Sequence, residues 1–438
     1  MAESGRVRES SDGSSRRGAA RNQLVAWLRT HRWWSPAYRS MSYLRSTLWV
    51  VPIVAFVLER IVYRLVSLVD PLITVDLVGL GVDGATSMFQ TVVTLTLSFV
   101  IFTFGSLLVA IQVASGQMTP RIIATTLLRD SVIKYAVGLN VFSLAFAMSA
   151  LNRTGDSVPQ LATLATAFLG VACLASFLFL IDYTARLLRP VRIVALVCDE
   201  GVEVVRQVYP DMAGLAPRRA AAGDSIPATA PPRVLCHGGR SQVVLAIDID
   251  ALVAEAARVD GIIEFAPQVG DFVATGDPLF NLYGEASRLD DSTLERSVAF
   301  GTERTMEQDP TFSFRILVDI ALKALSPAIN DPTTAVLALD QIHRLLRFVG
   351  QRRLHDSVLH DSRGRVRLVL RTPDWDDFVS IACSEIRACG ANNLQIARRM
   401  RAMLENLLRT LPESRRSALL LQLDLLDRTL PEHYRLPE

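Results

Sequence analysis

VDIALKALSPAINDPTTAV, residues 318–336, is the stretch that decides how the second half of the chain folds. Apolar residues recur at helical spacing in its first part, and Asp319 and Lys323 lie one turn apart, where their charges can pair. Ser326 precedes Pro327, and a residue before proline is pushed out of the α-helical conformation. The pattern therefore predicts an amphipathic helix that ends at this proline.

A second helix is predicted directly after the turn. Asp331 is a favourable N-cap, Pro332 fits the first helical position, and an apolar helix follows through Phe348. One interpretation is a helix–turn–helix corner in a folded core. The other is a site for an anion or a carboxylate, because polar groups crowd around a helix N-terminus. The residues of this candidate ligand site are Arg304, Asp319, Lys323, Ser326, Asn330, Asp331, Thr333 and Thr334.

The composition places part of the chain in a membrane. Half of the 438 residues are hydrophobic, 21% are charged, and the mean hydropathy is positive. These values are too apolar for an ordinary soluble protein. The net charge of +2 argues against a nucleic-acid-binding protein. The five cysteines include no CxxC pair, which is typical of reduced thiols.

Four hydrophobic segments have the length expected of membrane-spanning helices. They are Leu48–Val69, Ala85–Val113, Ile133–Leu151 and Val158–Leu187. Nine arginines lie in the first 45 residues, whereas the loop from Asp70 to Gly84 has three aspartates and no basic residue. Arg186, Arg189 and Arg192 follow the fourth segment. This asymmetry predicts four spans with both termini in the cytoplasm.

The second segment carries a polar face. Thr91, Thr94, Ser98, Gly105 and Gln112 recur at helical spacing. Small and hydroxylated residues on one face of a membrane helix usually allow close packing against another helix. The same face could instead line a water-filled path if several copies surround an axis. Both interpretations stay open from the sequence.

Glu59 and Arg60 interrupt the first segment. If the helix starts at Leu48, both residues lie near the middle of the membrane, where charges usually face the bundle interior or a cavity. If it starts near Met41, Glu59 emerges at the outer interface. The candidate pore-lining residues are therefore Thr91, Thr94, Ser98, Gln112 and Glu59.

The pattern divides the chain into four parts. Residues 1–45 are predicted to be a disordered, basic N-terminus, whose arginines and aromatic residues favour the surface of an anionic membrane over nucleic acid. Residues 46–190 form the four-span transmembrane domain, and residues 191–232 a connecting helix and a flexible linker. Residues 233–438 form a cytoplasmic α+β domain.

The cytoplasmic part begins with a small β module. Short strands are predicted at Val243–Ile247, Gly261–Ala266, Asp271–Val273 and Pro278–Tyr283, with a helix at Asp250–Arg258. The sequence VGDFVATGDPL resembles half of a biotinyl/lipoyl-type barrel-sandwich domain, but no lysine occupies the turn that would carry the cofactor. Further helices are predicted at Ser292–Val298, Phe312–Leu325, Pro332–Phe348, Trp375–Cys389, Asn393–Leu411 and Glu413–Thr429, with a hairpin at Val358–Leu370.

No catalytic motif stands out. The sequence has no Walker A loop, no GxGxxG after a strand, no GxSxG and no HExxH. His355 and His360 are spaced like weak metal ligands, but a solvated turn explains them better. Cys236-His237 has no second pair that would complete a zinc site. We therefore expect no metal, no cofactor and no enzymatic activity.

Three long motifs resemble one bacterial family. They are TLTLSFVIFTFGSLLVAIQVASGQMTPRII (94–123), ERTMEQDPTFSFRILVDIALKALSPAINDPTTA (303–335) and the stretch from WDDF to IRACGANN (375–393). The chain is similar over residues 45–408 to the predicted membrane proteins called domain of unknown function 2254. The resemblance implies a multi-pass protein of the bacterial inner membrane with a cytoplasmic C-terminal region, and it adds no catalytic residue.

The predicted fold is mainly α, with a four-helix transmembrane domain followed by a cytoplasmic α+β domain that contains a small β module. Two functional hypotheses follow. The first is a homo-oligomeric channel- or transporter-like protein with a cytoplasmic regulatory domain. The second is a membrane-anchored ligand sensor or scaffold that acts through that domain. The expected partners are the lipid bilayer and further copies of the chain, with no nucleic acid.

Overall fold

The fold was analysed in a computed structural model that describes seven stretches of the chain. They are residues 49–70, 79–117, 130–154, 158–187, 189–213, 231–354 and 358–429. The predictions for residues 1–45, for most of the linker and for His355 lie outside these stretches.

The N-terminal half is a bundle of four helices. They are α1 (Val50–Val69), α2 (Val82–Gln117), α3 (Ser131–Arg153) and α4 (Gln160–Leu187). Among the described residues, α2, α3 and α4 are long and apolar enough to cross a membrane. α1 has 20 residues, but its three charged residues, Glu59, Arg60 and Arg64, set it apart from these candidate spans. Three of the four predicted segments are thus candidate membrane spans by length and composition, and the first stays a prediction.

Helix α3 is the most enclosed of the three spanning helices, because α1, α2 and α4 all pack against it. The carboxylate of Asp130 caps its N-terminus, accepting hydrogen bonds from the amide of Val132 at 2.8 Å and the hydroxyl of Tyr183 at 2.6 Å. A Cβ atom built on Gly138 would lie 2.8 Å from Cγ1 of Val51. The absence of a side chain at this glycine therefore lets α1 approach α3 closely.

Helix α5 (Pro190–Val208) follows α4 and belongs to the core of the C-terminal region. Pro190 occupies its first turn, where the missing amide costs nothing. A Cβ atom on Gly201 would lie 2.5 Å from the hydroxyl oxygen of Ser313. The helix predicted as a connector therefore packs tightly into the C-terminal region, while the predicted domain boundaries remain a prediction.

The β module contains two sheets. Its elements are β1 (Arg233–Cys236), β2 (Gln242–Ile247), α6 (Ile249–Val259), β3 (Ile262–Phe265), β4 (Phe272–Val273), β5 (Pro278–Tyr283), α7 (Asp291–Arg296) and β6 (Val298–Gly301). The three-stranded sheet has the order β4-β2-β6. The helix predicted at Ser292–Val298 is too long, because Val298 begins β6 and pairs with Ile247 of β2. The conformation of residues 298–301 is decided by pairing with β2, which lies more than 40 positions earlier in the sequence. Local periodicity does not reveal such a pairing.

The remaining elements form a helical layer and one hairpin. They are α8 (Phe312–Ala324), α9 (Pro332–Gly350), β7 (Val358–His360), β8 (Val366–Leu370), α10 (Trp375–Gly390), α11 (Leu394–Thr410) and α12 (Arg416–Thr429). The predicted hairpin and helices of this part are confirmed. Strand β8 pairs in parallel with β3, so the hairpin completes a five-stranded sheet of order β1-β5-β3-β8-β7. This edge joins the β module to the helices.

Candidate functional site

The carboxylate of Asp331 caps α9, as the sequence predicts. The amide of Thr334 donates to Oδ1 at 3.1 Å and its hydroxyl donates to Oδ2 at 2.5 Å. The hydroxyl of Thr334, with the amides of Thr334 and Thr333, holds the pKa of the Asp331 carboxyl below its usual value. Both carboxylate oxygens are thus engaged within the helix terminus itself.

The turn before Asp331 closes on its own backbone. Asn330 adopts a left-handed conformation with φ of 49°, which asparagine tolerates better than most residues. Its amide donates to the carbonyl of Ser326 at 2.8 Å, and the amide of Asp331 donates to the carbonyl of Ala324 at 2.8 Å. The hydroxyl of Ser326 donates to the carbonyl of Lys323 at 2.7 Å. These bonds favour the helix–turn–helix corner over the ligand site.

Two members of the candidate ligand site have their bonds elsewhere. Arg304 donates from Nε to Oδ2 of Asp309 at 2.8 Å and from Nη2 to the hydroxyl of Thr311 at 3.1 Å. The Asp309 side chain is buried beside Gly270, where a Cβ atom would lie 2.3 Å from Oδ2. Asp319 pairs with Arg315, which is its neighbour on α8, at 3.2 Å. Arg304 therefore closes the loop before α8 on itself, and the paired side chains of Arg304 and Asp309 lie against Gly270 of the β module.

The polar face of α2 points away from the bundle. Thr91, Thr94, Ser98, Gly105 and Gln112 are all exposed, whereas Thr96 and Thr103 are buried between the helices. The hydroxyls of Thr91, Thr94 and Ser98 donate to the carbonyls four residues earlier at 2.8, 2.9 and 2.8 Å. Packing within the chain therefore does not account for this face.

Apolar side chains share the same face of α2, a feature that the sequence reasoning missed. Ile101 and Leu108 are 64% and 62% exposed, more than any other large apolar residue of this helix whose side chain is described. They follow Ser98 and Gly105 by three residues each, a spacing that keeps side chains on one helix face. Leu95, four residues after Thr91 and three before Ser98, is 46% exposed, so the exposed face mixes polar and apolar side chains along its length.

Glu59 does not lie on the exposed face of α2. Its side chain is fully buried between α1 and α3, where the hydroxyl of Ser149 donates to Oε1 at 2.9 Å. Nε of Arg60 lies 3.1 Å from Oε2 but does not form an aligned hydrogen bond. Arg60 itself is 58% exposed on the outside of the bundle and lies over the ring of Phe56. The structure therefore places Glu59 apart from the other candidate pore-lining residues.

A cavity of about 1000 Å³ separates the membrane bundle from the C-terminal region. Its roof is formed by Val51 at the start of α1 and by Ser131, Lys134 and Tyr135 at the start of α3. Its wall is α5, and its floor is formed by the β module and the loop before α8. Because these segments are far apart in the sequence, no local pattern could have predicted the cavity. We refer to it below as the junction cavity.

Comparison with known proteins agrees with the resemblance seen in the sequence. An uncharacterized protein of Mycobacterium bovis and one of Mycobacterium tuberculosis are each 29% identical to the chain over 378 residues. Each alignment covers 80% of this chain and 70% of the relative. No solved structure matches the chain. The model of the predicted membrane protein family DUF2254 matches residues 45–406, which is most of the chain, so the protein belongs to that family.

Proposed function

We propose that the protein is a homo-oligomeric, channel- or transporter-like protein of the bacterial inner membrane, in which α2 faces the axis of the oligomer. The exposed polar face of α2 carries this proposal. The amide of Gln112 interacts poorly with acyl chains, so a neighbouring subunit or water is its better environment. The hydroxyls of Thr94 and Ser98 donate to their own helix and lie on the same exposed side. The proposal assigns no catalytic reaction to the chain.

The proposed topology has four spans, with α1 as the first and both termini in the cytoplasm. The arginine asymmetry of the sequence supports this orientation. The C-terminal region is then a cytoplasmic regulatory domain, and α5 transmits its movements because α5 follows α4 and packs against α8 and α9. Reporter fusions after Gly81 and Arg192 should read outside and inside. An inside signal at Gly81 would contradict the orientation.

Two single cysteines at the same depth test the position of α2. Phe99 of α2 stacks on Phe177 of α4 with ring centroids 4.3 Å apart, so Ser98 and Ala175 lie at similar depths. Both residues are exposed on the outside of one subunit, but on different helices. In a background without the five native cysteines, Ser98→Cys should react with a small charged thiol reagent in membranes. Ala175→Cys should not react, because it faces lipid.

The reaction requires a thiolate, and therefore water at the sulfur. Selective labelling of Ser98→Cys would support a water-filled axis. Equal labelling of both positions, or labelling of neither one, would contradict the proposal. Disulfide cross-linking of Ser98→Cys in the same membranes reports whether two copies of α2 meet.

The second candidate function is a membrane-anchored ligand sensor. The junction cavity favours this function, because a ligand bound there would contact both the membrane bundle and the C-terminal region. In this case, binding would alter the position of α5 relative to the bundle.

A further inference from the structure

The junction cavity lies at the level of the membrane surface. Its roof residues Val51 and Ser131 are at the same ends of α1 and α3, and α3 is long and apolar enough to span the bilayer. Tyr135, which is also in the roof, is 69% exposed at this end of α3. Tyrosine in this position is typical of the lipid headgroup region. The roof of the cavity therefore lies at the depth expected for the headgroups of the adjacent leaflet.

Charges of both signs line the junction cavity. Glu200, Glu203 and Gln207 recur at helical spacing, so α5 presents one acidic face to it. Glu307 adds a third carboxylate from the loop before α8. The roof contributes Lys134, a residue that is 8% exposed, and the floor contributes Arg371. A dipolar ligand with one cation and one anion complements this arrangement better than an ion of either sign.

Part of the floor of the junction cavity is apolar. Ile247 and Phe265 are buried in the β module, and Val269 and Leu370 extend the same surface. The volume of about 1000 Å³ lies at the upper end of the range for small-molecule sites. The space therefore accommodates a headgroup together with the glycerol and the first acyl carbons of a lipid.

We propose that the junction cavity binds a phospholipid whose headgroup carries a primary ammonium group. The Glu203 carboxylate already accepts hydrogen bonds from Arg206 at 2.7 Å and from Gln207 at 2.8 Å. The ammonium group of the lipid adds hydrogen bonds to the remaining lone pairs of Glu203 and to Glu200, and the phosphate accepts hydrogen bonds from Lys134 and Arg371. The apolar part of the floor contacts the glycerol end of the lipid. This proposal rests on the second candidate function and names its ligand, and it is independent of the position of α2.

Three lipids distinguish the groups involved. Phosphatidylethanolamine has ammonium N–H donors, phosphatidylcholine has a methylated cation without donors, and phosphatidylglycerol has no cation. The full chain, purified in detergent and delipidated, is titrated with each lipid, and the thermal unfolding midpoint is followed because a ligand that binds the folded state raises it. Phosphatidylethanolamine should bind about tenfold more tightly than the other two, which corresponds to about 1.4 kcal/mol.

Matched variants locate the binding site. Glu200→Gln combined with Glu203→Gln should abolish the preference for phosphatidylethanolamine. The control is Glu255→Gln with Glu285→Gln, which removes two carboxylates outside the cavity that pair with arginines three residues on, as Glu203 does. This control should keep the preference. Arg371→Gln should weaken all three lipids alike, because all carry the phosphate.

Three results would overturn the proposal. They are equal binding of the three lipids by the wild-type chain, a preference that survives in the Glu200/Glu203 variant, and competition by soluble phosphoethanolamine at the same concentration as the lipid. The last result would mean that the acyl end contributes nothing. The labelling of Ser98→Cys is measured separately, so its failure would leave this proposal standing.

Discussion

The corner at Ser326–Asp331 and the polar face of α2 look alike in the sequence, since each gathers small polar residues within a short stretch. In the structure, the two regions differ in their hydrogen-bond partners and in their exposure. At the corner, backbone and side-chain groups bond to one another and close a turn against a buried core. On α2, each hydroxyl bonds to its own helix, and the face itself remains exposed.

This difference teaches that crowding of polar residues is not in itself a sign of a binding site. The carboxylate of Asp331 accepts a hydrogen bond from an otherwise unpaired amide at the start of α9, which is a structural role. The hydroxyls of the α2 face bond only within their own helix, so this face has no comparable structural role inside the chain. The predictions below test this contrast, beginning with the largest expected effect.

Truncation of the core behind the corner should be far more costly than truncation on α2. Phe378 is fully buried and lies against Phe314 and Tyr209, with centroids 5.5 and 6.3 Å apart. Phe378→Ala should destabilise the protein by about 3–5 kcal/mol. Leu108→Ala, at a position that is 62% exposed, should stay within about 0.5 kcal/mol. Denaturant unfolding of the purified full chain measures both, and similar costs would mean that Leu108 is buried in the assembly.

Two glycines in the membrane bundle give a second contrast. A Cβ atom on Gly138 meets Val51 at 2.8 Å, whereas one on Gly105 meets nothing within 4 Å. Gly138→Leu should therefore cost about 1–3 kcal/mol through overpacking. Gly105→Leu should leave the subunit folded but weaken its association, which cross-linking and particle mass would detect. An unchanged oligomer in Gly105→Leu would argue against α2 at a subunit interface.

Removal of the cap at the corner should have an intermediate effect. Asp331→Ala should lower the free energy of unfolding by about 0.5–2 kcal/mol, while Asp331→Asn should keep most of it. Because the pKa of Asp331 is lowered in the folded state, its contribution is complete above the unfolded pKa of about 3.9 and is lost as the pH falls through the folded value. Asp331→Asn should lack this loss in a comparison of unfolding at neutral and acidic pH.

The smallest effect on folding is expected on α2 itself. Ser98→Ala removes a hydroxyl that bonds only to the carbonyl of Thr94, within the same helix. The change in subunit stability should be below about 0.5 kcal/mol. If Ser98 faces a water-filled axis, solute flux through proteoliposomes should change, whereas Ala175→Ser on the lipid side should have no such effect. A large loss of stability in Ser98→Ala would contradict the exposed position.

Local signals were sufficient for much of the fold. The cap at Asp331, the break at Pro327 and the hairpin through Gly364 follow from residues that are close in sequence. The long apolar stretches of α2 and α4 are likewise recognisable from the sequence. The exposure of the α2 face was not predictable, because periodicity shows that residues share a face but not what that face meets.

The remaining features depend on contacts between distant segments. The strand at Val298 forms because β2 pairs with it, and the role of α5 depends on Gly201 meeting Ser313. The junction cavity requires α1, α3, α5 and the β module together. A fragment that begins at residue 233 would lack α5, so the C-terminal core is best studied in the full chain.

The parallel pairing of β3 with β8 also sets an order of events during synthesis. Ile263 pairs with Leu368, so all of α8 and α9 must emerge from the ribosome before this edge can close. At about 5–20 residues per second, the edge of β3 stays open for several seconds. During that time its unpaired backbone can recruit a foreign strand. A nascent chain stalled before residue 366 should therefore depend on chaperones more strongly than one released after residue 370.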